Sequence, residues 1–468
     1  VSGGVGASPA SEPVDVAYAR ALAAIEARGR YGVHLGLGRV RALLRMLGNP
    51  EREVRGALVA GTNGKGSVIA LASAALRAAG YRVGATPKPH LQTYRERIMV
   101  DDRPIEPEAF VRLVDLVLPL ADRVAGRLGP PTEFELLTAM MFRHLADVRP
   151  DVALIEVGLG GRLDATHAWD GGVAVVTNVG LDHTDRLGST VEAIAREKAA
   201  IIMAGDVAVT GASGGARAVV RRRCARLAVP LTVVESAMVL AAGGSGLEVS
   251  LPSLGRVELA LRGRHQAANV AVADALLDAL DAAGIARVSP AARRGGYRTA
   301  RWPGRLELLS VPGGGGSPRQ VLLDGAHNPD GAAALGVALD DLLPGLGRGR
   351  AGEPLPLTLV WASMRDHDAE QVVAAVARAR VVHELGRTVS VICTALDLPR
   401  ARPATELGGI WRRQLPEATV SVEPDAERAL ERALATTDGP VVVAGSLYLV
   451  GAIRRRLVDD PLLRDPAP

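Results

Sequence analysis

VAGTNGKGS, residues 59–67, closes the apolar run RGALVA and opens the helical pattern SVIALASAALRAAG. A strand that passes through a glycine-rich turn into a helix leaves backbone N–H groups unpaired, and with the helix dipole behind them these groups form an anion cradle. Lys65 would reach the outer phosphates of a nucleotide held there. The spacing is not GxxxxGK[ST], because Val59 stands at the first glycine position and Gly66 separates Lys65 from Ser67. The residue type is informative in itself. Among 55 lysines and arginines, lysine occurs only as Lys65, Lys88 and Lys198.

Outward from this turn, apolar runs alternate with helical patterns: DVALIEV, GVAVVTNV, DVAVTG and LTVV each precede a loop or helix. This alternation predicts a doubly wound, mostly parallel sheet. Between residues 235 and 262, LEVSLPSLGRVELALRG alternates with period two around Gly-rich turns and predicts a small antiparallel subsheet. A second alternating series follows RWPGRLELL, namely VLLDGAH, LTLVWA, VSVICTA, ATVSVE and PVVVAGS. It predicts a smaller C-terminal α/β, Rossmann-like domain of about five strands. Trp302-Pro303-Gly304 reads as a hinge, since Pro and Gly interrupt regular structure. The expected division is a disordered tail over 1–15, an α/β P-loop nucleotide-binding domain over 16–304 and the C-terminal domain over 305–468. GGGG at 313–316 and the stretch LPGLGRGRAGEPLP read as loops.

A chain of 468 residues exceeds one ordinary core, and 48% hydrophobic with 23% charged residues is the balance of a globular protein. No apolar run of 18 residues occurs, so no membrane span is expected, and VSGGVGASPASEPVD lacks the basic and apolar regions of a signal peptide. The expectation is a cytoplasmic enzyme. Cys224 and Cys393 offer neither a disulfide framework nor a zinc knuckle. The net charge is +4, but 55 basic residues face 51 acidic ones along the whole chain. The RRR runs at 221–223 and 454–456 fall in helical patterns and read as solvated faces, so nucleic acid is not an expected partner.

Two carboxyl-end segments carry further chemistry. DVALIEVGLGGRLDATH, residues 151–167, places Glu156 near the end of a buried strand, where ligands of open α/β sheets collect. GLGG is not a dinucleotide fingerprint, because Leu163 stands at the last glycine position of GxGxxG. The next strand runs into TNVGLDHTDRLG, which puts Asp182 and His183 at a comparable edge. A carboxylate and an imidazole facing a phosphate loop suit Mg²⁺, which keeps waters and nucleotide oxygens as its other ligands. Farther on, IAREKAA (194–200) follows Ser189 and Thr190, either of which caps a helix that carries Lys198 toward the His183 loop. Arginine stays charged, whereas a lysine amine can lose its proton and react.

GTNGKGS, TEFELLTA, EVGLGGRLDAT, TNVGLDHTDRLG, AREKA, GRHQAAN, RWPGRLE, DGAHNPDG and GSLYLVG occur in this order, from about Tyr31 to Arg455. In this the chain resembles the folylpolyglutamate synthase / dihydrofolate synthase family of the Mur ligase superfamily. The resemblance implies an ATP- and Mg²⁺-dependent amide ligase of folate biosynthesis and one-carbon metabolism. It would join L-glutamate to a folate or dihydropteroate carboxylate through an acyl phosphate, as a monomer with small-molecule partners only. It also implies roles by position. Gly64, Lys65, Gly66 and Ser67 would bind ATP phosphates, and Ser67, Glu156 and His183 would hold Mg²⁺. Asn269, Arg305, Asp324 and His327 would contact the nucleotide. Thr132, Glu133, Phe134 and Glu135, with Leu163, Asp164 and Ala165, match segments that contact the pterin. Lys65, His183 and Lys198 are the implied catalytic groups, Lys198 as a carbamate formed with CO₂.

Two departures from the family pattern stand out. Where the family usually reads TSPHL, with the serine at a Mg²⁺ site, this chain reads TPKPHLQTYRERI. An ammonium cannot ligate a metal as a hydroxyl can, so Lys88 is expected to contact a phosphate or a substrate carboxylate instead. Asp366-His367-Asp368 replaces a frequent Asp-Lys-Asp. The competing readings are a UDP-muramyl amino-acid ligase of the same superfamily and a nucleotide-binding regulator without catalysis. DGAHNPDG opposes the first, and the joint presence of Lys65, Glu156, His183 and Lys198 opposes the second.

Overall fold

The computed structural model describes residues 12–32, 35–312, 318–346, 355–366, 368–436 and 438–466. The glycine run at 313–316, residues 347–354 of the later loop, His367 and residues 1–11 of the expected tail lie outside the described residues. The first helix, Val14–Glu26, begins two residues inside the stretch read as a tail.

Gly56–Ala60, the strand that feeds the glycine-rich turn, is buried along its whole length and pairs in parallel with Val152–Glu156 on one side and Gly172–Val176 on the other. Successive side chains point to opposite faces of a sheet. Ala57 and Val59 therefore enter the core shared with the helices Lys65–Ala78 and Gln266–Ala282. Leu58 and Ala60 enter the core shared with Pro107–Leu128 and Glu133–Val148. A strand covered on both faces has no polar side, which is why RGALVA shows no alternation.

The sheet has eight strands, ordered Arg103–Pro104, Met99–Val100, Val83–Thr86, Val152–Glu156, Gly56–Ala60, Gly172–Val176, Val207–Thr210, Leu231–Val233. Six are parallel, and the two short edge strands run as an antiparallel hairpin. From Gly56–Ala60 the chain crosses to one side, and from Val152–Glu156 it crosses to the other. Their carboxyl ends therefore flank a topological switch point, where open α/β sheets bind ligands.

Met238–Gly243, Gly246–Leu251 and Gly255–Leu259 form the expected antiparallel subsheet. Among the described residues the second α/β body holds six strands rather than five, in the order Glu307–Val311, Arg319–Leu323, Val441–Ala444, Leu357–Trp361, Val389–Cys393, Thr419–Val422. The additional one is Glu307–Val311, an antiparallel edge on an otherwise parallel sheet. Both arginine runs lie on helices, Gly214–Leu227 and Leu447–Leu457. Arg454 departs from the solvated reading. It is buried and paired to Glu307, on that edge strand, at 3.0 Å.

Candidate functional site

A cleft of about 620 Å³ opens at the switch point and is closed on its far side by the second α/β body. The turn at its floor is held by the loop that follows Gly172–Val176. Thr62 Oγ1 accepts from the Gly180 amide at 3.0 Å, Thr177 Oγ1 donates to the Asn63 carbonyl at 2.7 Å, and Asn178 Oδ1 accepts from the Asn63 amide at 2.9 Å.

The unusual spacing of the turn has a steric cause. Gly64 is left-handed, with φ +81°, and a Cβ there would lie 2.2 Å from Asn269 Oδ1. A Cβ on Gly66 would lie 2.4 Å from Cζ2 of Trp302, whose indole occupies the place a larger residue would need. Asn269 is itself buried, and its Nδ2 donates to Gln266 Oε1 at 2.8 Å, while Gln266 Nε2 donates to Ser67 Oγ at 3.4 Å.

All three lysines of the chain converge here. Lys65 Nζ donates to the carbonyls of Gly61 and Thr62, both at 3.1 Å, and lies 3.8 Å from Glu156 Oε1. Lys198 Nζ donates to the same Gly61 carbonyl at 2.9 Å from the helix Val191–Ala199, which Thr190 caps through the Ala193 amide. Lys88 Nζ donates to the Glu156 carbonyl at 2.7 Å and stands 4.3 Å from the centroid of the Phe134 ring, and its backbone N–H donates to Glu156 Oε2 at 3.1 Å. Lys88 is thus half-buried and bonded, not a solvent-facing loop lysine.

Burial governs the protons of this cluster. It lowers the Lys198 amine to about 7, aided by the Lys65 charge and opposed by Asp182 and Asp164. It lowers Lys88 to about 8 against the pull of Asp164 and Glu156. The Glu156 carboxyl, 4% exposed, is raised by the same loss of water, with Lys65 and the Lys88 amide opposing.

The second body contributes its own edge. Both oxygens of buried Asp324 accept backbone amides, from Leu306 and Ala326 at 2.9 Å each, and burial raises its carboxyl while Arg305 opposes. His327 Nδ1 lies 2.7 Å from the Gly325 carbonyl. Asn328 Nδ2 bridges the bodies by donating to Asn63 Oδ1 at 3.1 Å and Asp182 Oδ2 at 3.4 Å.

Of the residues singled out in the sequence, Gly64, Lys65, Gly66, Ser67, Lys88, Phe134, Glu156, His183, Asn269, Arg305, Asp324 and His327 line the cleft. Lys198 sits behind its floor. Thr132, Glu133, Glu135, Leu163, Asp164 and Ala165 are not in the lining, and several have local work. Thr132 and Glu135 form a reciprocal cap on the helix Glu133–Val148, and Glu135 also pairs with Arg39 at 2.9 Å. Asp164 accepts the amides of Leu159 and Thr166 at 2.8 and 3.0 Å. Asn63, Gln266 and Asn328 carry no expected role although all three lie in the quoted motifs, and Trp302, read only as part of a hinge, also lines the cleft.

Among the described residues no group of three His, Cys, Asp or Glu side chains comes together as a metal cluster. Mg²⁺ needs few protein ligands when phosphate oxygens and waters supply the rest. A buried carboxylate on Glu156 and a hydroxyl on Ser67 in one cleft fit that demand by donor chemistry. His183 is a partly exposed imidazole at the rim, held in a left-handed turn with φ +48°.

Comparison with known proteins bears on the whole chain. The "Mur ligase middle domain" family matches residues 59–277, and the "dihydrofolate synthetase, C-terminal domain" family matches residues 314–456. A dihydrofolate synthase/folylpolyglutamate synthase of Bacillus subtilis is 32% identical over 94% of this chain and 99% of its own length. A Mycobacterium tuberculosis folylpolyglutamate synthase complexed with ADP and AMPPCP superposes with a TM-score of 0.81 at 30% identity, covering 95% of this chain and 100% of that one. E. coli FolC in complex with DHPP and ADP superposes with a TM-score of 0.77 at 28% identity, covering 96% of this chain and 99% of that one. The chain belongs to the dihydrofolate synthase/folylpolyglutamate synthase family.

Proposed function

We propose that this chain is an ATP-dependent carboxylate–amine ligase that adds L-glutamate to a folate or dihydropteroate carboxylate. The observation that carries the reading is the convergence of its three lysines on Gly61 and Glu156, at the floor of a cleft walled by both α/β bodies. Relatives complexed with ADP, AMPPCP and DHPP support the substrate classes. The division at residues 304 and 305, a monomeric state and a cytoplasmic location belong to the same proposal. No helix among the described residues is long and apolar enough to cross a membrane.

The chemistry follows from charge. Transfer of the ATP γ-phosphoryl group to the acceptor carboxylate gives an acyl phosphate and ADP. The glutamate amine then attacks the acyl carbon, gives up a proton, and phosphate leaves as the amide forms. No side-chain nucleophile is needed, so the protein's part is positioning and neutralisation. Gly64, Gly66, Ser67 and Lys65 hold the phosphates in this reading, with Asn269, Arg305, Asp324 and His327 around the nucleotide. Ser67, Glu156 and His183 would hold Mg²⁺, which when bound neutralises phosphate charge. Lys88 faces the acceptor side beside Phe134 and supplies a fixed positive charge toward a phosphate or carboxylate. Lys198, a buried amine with a lowered proton affinity, suits reaction with CO₂ to a carbamate. Thr132, Glu133, Glu135, Leu163, Asp164 and Ala165 shape the pterin side from behind the cleft wall.

ADP release with ATP, Mg²⁺ and glutamate tests the reading, with dihydropteroate, tetrahydrofolate and a UDP-muramyl acceptor compared. Turnover that needs glutamate and either pterin is expected. Turnover only with the UDP-muramyl acceptor, or none with any acceptor, overturns it.

A further inference from the structure

Beyond the helix Leu447–Leu457 the chain leaves the second body and crosses to the first. Its 3-10 turn, Pro461–Leu463, lies beside the edge strand Arg103–Pro104. There Asp465 Oδ1 accepts from Tyr18 Oη at 2.9 Å, Thr93 Oγ1 at 2.6 Å and Arg95 Nε at 3.2 Å. Arg95 is 3% exposed. Its Nη2 donates to the carbonyls of Leu462 and Arg464 at 3.0 and 2.7 Å, and its Nη1 donates to that of Ile105 at 3.2 Å. One buried guanidinium therefore joins the C-terminal segment to the first body. The Asp465 side chain keeps 31% of its surface exposed, so the ion pair itself contributes modestly; what is costly to lose is the set of bonds that satisfies the buried Arg95 guanidinium.

What this contact grips is the segment between Lys88 and Arg97, both of which line the cleft. Thr93 lies inside it, and Glu96 gathers the amides of Leu91, Gln92 and Thr93. From the second body, Arg455 Nη2 donates to the Gln92 carbonyl at 2.8 Å, and Gly451 approaches so closely that a Cβ would lie 1.9 Å from the Leu91 carbonyl oxygen. At the cleft end, Arg97 Nε donates to His90 Nδ1 at 2.9 Å. Residues 459–466 lie beyond the matched C-terminal family domain, which ends at residue 456.

We propose that residues 459–466 form a positioning strap for the Lys88–Arg97 segment, anchored by Asp465 on Arg95, Thr93 and Tyr18, so that the chain's last segment sets the acceptor wall of the cleft. Asp465 is a positioning residue, since it acts through Arg95 and touches nothing in the cleft. The kinetic consequence rests on the ligase reading above, whereas the consequence for loop mobility does not.

Two variants of the full enzyme test it: Asp465→Ala, and a chain ending at Val458. Hydrogen exchange of the amides in 88–97 is expected to quicken at least about tenfold in both, as loss of charge-assisted bonds implies. ADP affinity by calorimetry should stay within about twofold, and the acceptor KM should rise about tenfold. Asp465→Glu should recover most of the acceptor KM. Unchanged exchange in 88–97 in both variants overturns the strap, whether or not the parent enzyme turns over. So does a rise in ADP Kd and acceptor KM together with a general fall in Tm, which is loss of fold rather than of position. A parent enzyme that shows no pterin-dependent turnover removes the ligase reading and leaves the exchange result to decide the strap.

Discussion

Lys198 donates to the Gly61 carbonyl from a buried position, and an arginine there would keep the charge while losing the amine. If the amine carries CO₂, a ¹³C resonance from labelled bicarbonate should appear in the parent and be absent from Lys198→Arg, and kcat should fall on the order of 100-fold or more. An active, signal-free parent would sink the carbamate. In CO₂-free buffer, where the amine is unmodified, it also gives a pH signature. Its proton is held less tightly in the folded chain, at about 7, than at the ordinary 10.5, so protonation favours unfolding. The penalty is absent above the unfolded value, grows as pH falls through the alkaline range, and is complete below about 7. Lys198→Met should therefore gain stability relative to the parent as pH is lowered from about 10 to about 7, read from urea midpoints. For Lys88, removal of an ammonium bonded to the Glu156 carbonyl should raise the KM of ATP, glutamate or pterin about tenfold in Lys88→Ala. Steady-state constants that do not move would dismiss its role. That lysine was worth asking about is legible from its scarcity. Its ring contact with Phe134 is not, because the two stand on separate segments that only the fold brings together.

At the scale of elements, the strand–turn–helix unit around Gly61–Ser67 is where local rules and tertiary contact agree. Gly64 needs a positive φ that other residues adopt at a cost, and Asn269 fills the space a Cβ would take. Gly64→Ala should weaken ADP binding by about 1–3 kcal/mol, through backbone strain at the cradle, in calorimetry at matched pH. Binding equal to that of the parent would show that the turn relaxes freely. The helix Glu133–Val148 illustrates the opposite case. TEFE at 132–135 is a capping box in sequence terms, and Thr132 and Glu135 spend their side chains on that cap and on Arg39. Only Phe134 of the four reaches the cleft. The sixth strand of the second sheet, Glu307–Val311, does not stand out in the sequence because RLELLSV mixes polar and apolar residues, as an antiparallel edge can, whereas the buried parallel strand Val441–Ala444 is a continuous apolar run.

Over the whole molecule, the cleft is lined by residues of both α/β bodies. Asn328 reaches from the second body to Asn63 and Asp182 of the first. Asn328→Ala should raise the KM for ATP about three- to tenfold, as for one lost hydrogen bond, with little change in Tm. A large fall in Tm with unchanged KM would make the bridge structural instead. Closure of the bodies would exclude water from an acyl phosphate that water otherwise hydrolyses.

The α/β class, the glycine-rich strand–turn–helix unit, the antiparallel subsheet and the position of Glu156 at a strand end are all readable from the residues alone, because each depends on local periodicity or on residue type within one short segment. Only the tertiary structure decided that Trp302 explains Gly66, that Lys88 lies on Phe134 and that Asp465 holds Arg95. Those pairings join segments that loops and a second domain bring together, and no local propensity encodes a contact across such separations.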